Sequence, residues 1–234
     1  MNEQIVTISF FRFQGFKNRF WAFSMMQLAH KKIANTSRGL SFYKLLGSGK
    51  GNGFSWKPNF AVYGLLAIWD NNDCANDFFE TGKLFEEYKN HSIEQFTIHL
   101  KPIKSHGLWS NQNPFYNVND VDHQGSIAVI TRATIKLSKL LSFWRRVGGA
   151  SESLDNFPGR QFSIGIGEWP WIQQATFSIW DSEEHMMEYA YKNPIHKKII
   201  QMTRERKWYK EELFARFKPV KSVGSWGELG QIKT

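Results

Sequence analysis

The chain repeats itself. Ile68-Trp69-Asp70 returns as Ile179-Trp180-Asp181. Leu100-Lys101-Pro102-Ile103-Lys104-Ser105-His106-Gly107-Leu108-Trp109 returns as Phe217-Lys218-Pro219-Val220-Lys221-Ser222-Val223-Gly224-Ser225-Trp226. Six of those ten positions are identical, and Ile103 answers to Val220. The offset is 111 residues for the first motif and 117 for the second, so the second copy holds about six more residues between them. Self-similarity at this spacing means two copies of one structural unit.

Each copy carries the same succession of periods. In the first, Val6–Phe13 is β-branched and aromatic and reads as a strand. Lys17–Ala34 places Trp21, Met25, Leu28 and Ala29 at helical spacing. Strands follow at Phe42–Leu46 and Phe60–Trp69, a helix at Asp73–His91 and a strand at Phe96–Ile103. The second copy gives strand Ile127–Ile135, helix Lys139–Leu154, strands Phe162–Gly167 and Gln173–Trp180, helix Ser182–Lys207 broken near Pro194, and strand Leu213–Val220. Both copies are βαββαβ, the ferredoxin-like unit. Its sheet has helices on one face only, and the other face must be buried. The expected fold is therefore α+β: two ferredoxin-like repeats packed sheet to sheet as a dimeric α+β barrel within one chain. The expected organisation is an N-terminal repeat over 1–110, an Asn/Asp/Gly-rich linker over 111–125, a C-terminal repeat over 126–226 and a tail over 227–234.

Composition removes several classes. Of 234 residues, 41% are apolar and 22% charged, which is globular rather than disordered. The longest apolar run, Phe60–Trp69, is half of what a membrane-crossing helix needs. Met1-Asn2-Glu3-Gln4 carries no secretory signal pattern. Cys74 is the only cysteine, so neither an internal disulfide nor a Cys-based metal cluster can form, and a reducing cytoplasm is the expected compartment. The net charge is +9, and the chain holds 20 Phe, 10 Trp and 7 Tyr. That combination suits an anionic partner and a flat apolar ligand.

The candidate motifs thin out on inspection. Gly47-Ser48-Gly49-Lys50-Gly51 lacks the strand–loop–helix context of a phosphate loop and reads as a hairpin, as does Gly165-Ile166-Gly167-Glu168-Trp169-Pro170. Gly-x-Ser-x-Gly and His-Glu-x-x-His are absent. His30, His91, His106 and His123 read as solvated, and His99 as a hydrogen-bonded core histidine. His196 follows Asn193-Pro194-Ile195, where proline interrupts and restarts a helix, and it shares a face with Ile199, Ile200 and Thr203. Two readings stand there: a core histidine satisfied by hydrogen bonds, or an axial ligand to haem iron. The second copy gathers Arg145, Arg146, Arg160, Arg204 and Arg206; Arg145 and Arg146, after Phe143-Trp144, are either a solvated helix face or a guanidinium fork for propionates.

The chain resembles the spheroidene monooxygenase family, the carotenoid ketolases of purple bacteria, from about Ile8 to Trp226. The resemblance is carried by Ser9-Phe10-Phe11-Arg12-Phe13, Phe20-Trp21-Ala22-Phe23, Phe42-Tyr43-Lys44-Leu45-Leu46-Gly47-Ser48-Gly49 and Thr131-Arg132-Ala133-Thr134-Ile135. Phe143-Trp144-Arg145-Arg146-Val147, Ile164-Gly165-Ile166-Gly167-Glu168, Gln173-Gln174-Ala175-Thr176-Phe177-Ser178-Ile179-Trp180 and Trp208-Tyr209-Lys210-Glu211-Glu212-Leu213-Phe214-Ala215-Arg216-Phe217 add to it. It implies a haem-dependent oxygenase on a dimeric α+β barrel. The histidine of the family's Pro-His segment falls on His196, with Ile195 inserted after Pro194. Chlorite dismutases and aldoxime dehydratases, similar in architecture, also hold haem through a histidine of the second repeat.

The implied cofactor is haem b, with His196 as the iron ligand and haem lying between the second repeat's sheet and its helices. Gly165 and Gly167, with Ser163, leave a sheet face without bulk. Ile199, Ile200 and Arg145 complete the expected cofactor contacts. Gln174, Thr176 and Ser178 share one face of a strand and are the expected polar groups beside the oxidant, with Arg132 either a distal cation or a propionate partner. The expected reaction is monooxygenation of an apolar, carotenoid-like small molecule with dioxygen or peroxide. Expected partners are that substrate, an electron donor the sequence does not identify, an anionic membrane surface in peripheral contact and a further copy of the chain. Nucleic acid is not expected, because the Lys/Arg-Gly-Phe-x-Phe strand signature of RNA-binding ferredoxin-like domains is missing. The alternatives are another haem enzyme of this fold, acting like an aldoxime dehydratase, or a non-catalytic haem-binding or sensing protein.

Overall fold

The computed structural model describes residues 4–36, 38–51, 55–115, 123–152 and 157–227. Residues 52–54 of the Gly-rich stretch, 116–122 of the expected linker and the tail after Gly227 lie outside the described residues. The elements run β1 (Ile5–Arg12), α1 (Gly15–Thr36), β2 (Leu40–Gly49), β3 (Pro58–Trp69), α2 (Asn72–Thr81), α3 (Lys83–His91) and β4 (Glu94–Gly107). The second copy supplies β5 (Ile127–Ile135), α4 (Leu140–Glu152), β6 (Arg160–Trp169), β7 (Gln173–Trp180), α5 (Glu183–Met187), α6 (Pro194–Arg206) and β8 (Tyr209–Gly224). Hydrogen bonds order the strands β1-β3-β2-β6-β7-β5-β8-β4, a closed barrel. The fold is the α+β barrel of two ferredoxin-like repeats that the duplication predicts. Among the described residues no helix is long and apolar enough to cross a membrane.

Two local features differ from the sequence pattern. The helix expected over Asp73–His91 is two helices, because Gly82 is extended (φ −71°, ψ 112°) and donates its N–H to the Phe78 carbonyl at 3.1 Å. A Cβ on Gly82 would stand 2.2 Å from that oxygen, so only glycine makes the break. β4 and β8 also extend past Pro102 and Pro219 to Gly107 and Gly224. These two glycines, equivalent in the repeat, have φ near +87° and +88°. A side chain on Gly107 would strike the Glu212 carbonyl at 2.2 Å, and one on Gly224 the Gln95 carbonyl at 2.1 Å. The recurring Gly of the motif thus marks a left-handed turn against a neighbouring backbone.

The chain divides into two compact units, Met1–Gly47, Asn59–Lys101 and Pro219–Ile232 in one, and Ser48–Pro58, Pro102–Lys218 and Lys233–Thr234 in the other. Each therefore takes strand segments from both sequence copies. In the first unit, the helix-facing side of the sheet is one continuous apolar layer. Ile5, Phe11, Phe13, Tyr63, Leu65, Ala67 and Trp69 meet Ala22, Met25, Ala29 and Ile33 of α1 and Phe78, Phe85 and Tyr88 of α2 and α3. In the second unit the corresponding layer is in two pieces. Ile127, Val129, Trp180 and Met186 gather Phe157, Tyr189 and Phe214 at one end. Ile135, Phe143, Val147 and Trp208 gather Leu140, Trp144, Ile199, Met202 and Tyr209 at the other. The start of the expected linker is packed: Phe115 is buried, as is Trp109 just before the linker, and the Phe115 ring meets Phe217 at 4.9 Å.

Candidate functional site

Why the two layers differ follows from residue identity at matched positions. The registers Ile5–Trp69 and Ile127–Trp180 are equivalent in the two copies. Two residues on, Thr7 and Ala67 answer to Val129 and Ser178. Ser9 and Leu65 then answer to Thr131 and Thr176, and Phe11 and Tyr63 to Ala133 and Gln174. The first copy fills the middle of its sheet with Leu65, Phe11 and Tyr63. The second places Thr176, Ala133 and Gln174 there, losing one aliphatic and two aromatic side chains. On the neighbouring strand, Gly165 pairs with Thr176, Gly167 with Gln174 and Ser163 with Ser178. A row Gly165–Thr176–Thr131–Phe214 therefore crosses β6, β7, β5 and β8. Thr131 is exposed although it lies mid-strand with neighbours on both sides, whereas Ser9 is 1% exposed. The gap between the two apolar pieces is a flat floor of small and polar side chains.

The helical connection from β7 to β8 joins the two apolar pieces, Tyr189 packing with one and Ile199 with the other. Ser182 caps α5, its hydroxyl accepting the His185 N–H at 3.2 Å. Glu188–Lys192 then forms a single π-helical turn, closed by the Asn193 N–H on the Glu188 carbonyl at 3.2 Å. Such turns mark functional positions often. Asn193 caps α6 by accepting from Ile195 and His196 N–H, and Pro194 takes the first position. Proline has no N–H, so the Ala190 carbonyl four residues earlier loses its helical donor. The His196 Nδ1 takes that place at 2.9 Å. A carbonyl only accepts, so Nδ1 carries the proton and Nε2 of the neutral ring keeps its lone pair. Burial holds His196 below the ordinary histidine range, against the opposing pull of the Ala190 bond. Tyr189 stands 4.8 Å from the imidazole, ring to ring. Tyr189 belongs to one apolar piece and Ile199, one turn beyond His196, to the other.

The remaining expected residues divide between two places. Gly165, Gly167, Gln174, Thr176 and Ser178 all share the helix-facing floor. Gly167 has a local reason to be glycine, since a Cβ would lie 2.4 Å from the Gln173 carbonyl. Gln174 Nε2 donates to the Trp169 carbonyl at 3.4 Å, and the Ser178 hydroxyl accepts from Trp180 Nε1 at 2.9 Å. Ile200 is half-buried on α6, and Arg145 is exposed on α4. Sequence reasoning passed over Arg216, which pairs with Val129 beside the floor, makes an ion pair with Glu183 and lies 5.5 Å from the Phe214 ring. Arg160 reaches the Ser163 hydroxyl at 3.0 Å. Strand alternation alone would have put Arg216 on the same face as Phe214.

Arg132 is elsewhere. It pairs with Ala175 and Leu213, so it lies on the face turned away from the helices, and it is 2% exposed. It makes an ion pair with Glu211 and lies 3.5 Å from Glu168, which also accepts from Trp109 Nε1 at 2.7 Å. Burial pushes the Glu211 carboxyl upward, but the N–H groups of Asn111 and Ser110 together with Arg132 bring it below the usual range. A cavity of about 550 Å³ opens beside this network, between Asn111, Arg132, Thr134, Gln173, Lys210 and Glu211. Neither His196 nor the floor at Thr131 lines it.

No family model matches the chain. It is 36% identical over 224 residues to a spheroidene monooxygenase of Rhodobacter capsulatus, covering 95% of this chain and 92% of that protein. A spheroidene monooxygenase of Cereibacter sphaeroides is 35% identical, covering 95% and 69%. One of Rubrivivax gelatinosus is 31% identical over 188 residues, covering 80% and 72%. The chain belongs to the spheroidene monooxygenase family. In fold this family member is also similar to a crystal structure of aldoxime dehydratase, with a TM-score of 0.59 at 10% identity over 93% of this chain and 82% of that one.

The group that the sequence resemblance implies is haem, and the chemistry of the residues present is compatible with it. A neutral imidazole whose Nδ1–H is held by a carbonyl keeps an unprotonated Nε2, the form in which histidine binds a metal. Among the described residues, the floor is a stretch of layer that the first copy fills with Leu65, Phe11 and Tyr63 and the second does not. A planar apolar group with charged edges suits that stretch, which has apolar side chains at both ends and Arg160 and Arg216 at its border.

Proposed function

We propose that the protein is a haem-dependent monooxygenase of a carotenoid or a similarly apolar substrate, with Nε2 of His196 as the iron ligand. The observation that carries this is the divided apolar layer of the second copy, with a neutral, carbonyl-anchored imidazole between its pieces. The carotenoid follows from the relatives, each named spheroidene monooxygenase. Bound haem b supplies activation of dioxygen or peroxide, a chemistry that belongs to the cofactor.

The protein's own residues do the rest. The Ala190 carbonyl orients the His196 ring and fixes its tautomer. Gly165 and Gly167 keep the floor low. Thr176 and Gln174 are the polar groups that hold a proton donor toward the reacting centre, and Ser178 is tied to Trp180. Arg160 and Arg216 are placed for propionates, because a guanidinium fork matches a carboxylate. The flanking rings of Tyr189, Phe214 and Trp144 border the place, so a bound apolar group would displace the water that reaches Thr131 and strengthen the polar interactions there.

Haem titration of the purified protein tests this. A Soret band is expected, and His196→Ala should abolish it or weaken haem affinity by about a hundredfold, the scale of a lost metal ligand and its anchor. Far-UV circular dichroism should be unchanged, because the variant strands one carbonyl at a cost of about 1 kcal/mol. An identical Soret band in His196→Ala sinks the ligand assignment. With reductant and oxygen, a carotenoid should gain oxygen mass; haem-loaded protein that leaves carotenoids untouched would favour the sensing alternative.

A further inference from the structure

Trp56, Trp169 and Trp171 are 62%, 64% and 48% exposed. Trp56 lies in the turn between β2 and β3, Trp169 ends β6, and Trp171 follows Pro170 in the turn to β7. The turns are bound together: Trp171 Nε1 donates to the Trp56 carbonyl at 2.8 Å. Trp144 on α4 donates through Nε1 to the Trp171 carbonyl at 3.1 Å. The Ile135 N–H bonds the Ile172 carbonyl at 2.8 Å, which brings the start of α4 to the same turn. There, Leu137 and Leu141 are 70% and 74% exposed. All these residues belong to one compact unit. Trp171 also has φ +64°, a conformation that costs a bulky residue on the order of 1–2 kcal/mol. The turn is held strained with its large apolar side chains in water.

The charge around these rings is largely positive, and Glu168 beside Trp169 is drawn to Arg132 at 3.5 Å. Residues 50–57 and 136–147 contain Lys50, Lys57, Lys136, Lys139, Arg145 and Arg146 and no acidic residue. Lys57 lies 5.5 Å from the Trp56 ring. Indole is apolar in its body and polar at its N–H, and it settles at the level of lipid headgroups. Lysine and arginine beside it meet lipid phosphates, each contributing about 1 kcal/mol near an anionic surface.

We propose that this surface seats the protein on an anionic phospholipid bilayer, with the rings of Trp56, Trp169 and Trp171 at headgroup depth. The surface stands on its own residues and does not depend on the haem assignment. An apolar substrate dissolved in a bilayer makes the seat useful to the proposed reaction.

Sedimentation of the full chain with vesicles tests it, using phosphatidylcholine alone and phosphatidylcholine mixed with phosphatidylglycerol. Binding is expected to the mixed vesicles, to fall with added salt, and to quench tryptophan emission when the acyl chains are brominated near the headgroup. Trp56→Ser/Trp169→Ser, which leaves the Trp171 indole bond in place, should bind at least about tenfold more weakly with unchanged circular dichroism. Should that double variant fail to fold, Leu141→Glu on the exposed side of α4 should reduce binding in the same direction. The proposal is overturned if the parent ignores mixed vesicles, if the folded variants bind as the parent does, or if binding is the same on neutral vesicles and at high salt.

Discussion

His99 stands on β4 opposite Thr7, and its ring lies 5.4 Å from Phe79 of α2. Burial, with Lys221 adding to it, pushes its pKa down to about 4. An unfolded chain takes up that proton near pH 6.5, while the native protein stays neutral down to about 4. The contribution to stability is therefore complete above pH 6.5 and is lost as pH falls toward 4, by up to about 3 kcal/mol. His99→Gln should flatten this part of the stability profile, measured by urea unfolding at pH 7 and pH 4.5; equal slopes in parent and variant would refute the assignment. That His99 is a core residue is legible from its place among Thr97, Ile98 and Leu100. The partners of Arg132 are not, because Glu168 and Glu211 come from other strands, the latter 79 residues away, and no period links them. For His196 the sequence supplies half: Pro194 announces a freed carbonyl, but the π-helical turn that brings Ala190 to Nδ1 comes from packing.

β5 and β7 are indistinguishable from β1 and β3 in period, yet one pair supports a closed layer and the other a floor. Thr176 is the position to exchange, because its equivalent Leu65 is 4% exposed in the filled layer. Thr176→Leu should lower haem affinity at least about tenfold while raising or preserving the melting temperature of the haem-free protein, since a buried leucine contributes about 1.5–3 kcal/mol. Haem titration and thermal melts together check it, and parental haem binding would show that the floor is not the cofactor's place. The βαββαβ succession was legible because strand and helix periods differ and the Lys-Pro-x-Lys-Ser motif fixes the copies. Element ends were less so. Gly82 reads as a tolerable helical glycine until its neighbour's carbonyl is seen 2.2 Å from where a side chain would be. β4 and β8 outrun their apolar patterns because their far ends, exposed at Lys104, His106, Lys221 and Val223, are held by backbone pairing although Pro102 and Pro219 are buried.

At the scale of the molecule, the sequence copies and the compact units do not coincide. The first unit needs residues after Pro219, and the second needs residues after Pro102. The bonds that hold these segments are backbone bonds within each unit: Ser225 N–H to the Gln95 carbonyl at 3.0 Å in the first, Leu108 N–H to the Glu212 carbonyl at 2.7 Å in the second. A fragment of residues 1–115 would keep most of its own copy and still lose the β8 segment from its sheet, leaving a strand edge unpaired beside β4. It should show no cooperative thermal transition. Residues 116–234 alone should behave alike, and should not bind haem although His196 and the whole floor lie in that fragment. Mixed, the two should recover a cooperative melt whose midpoint rises with concentration, because association now carries the entropic cost of joining two molecules. A cooperative melt from 1–115 alone, within a few degrees of the intact chain, would mean that the copy and not the compact unit is what folds.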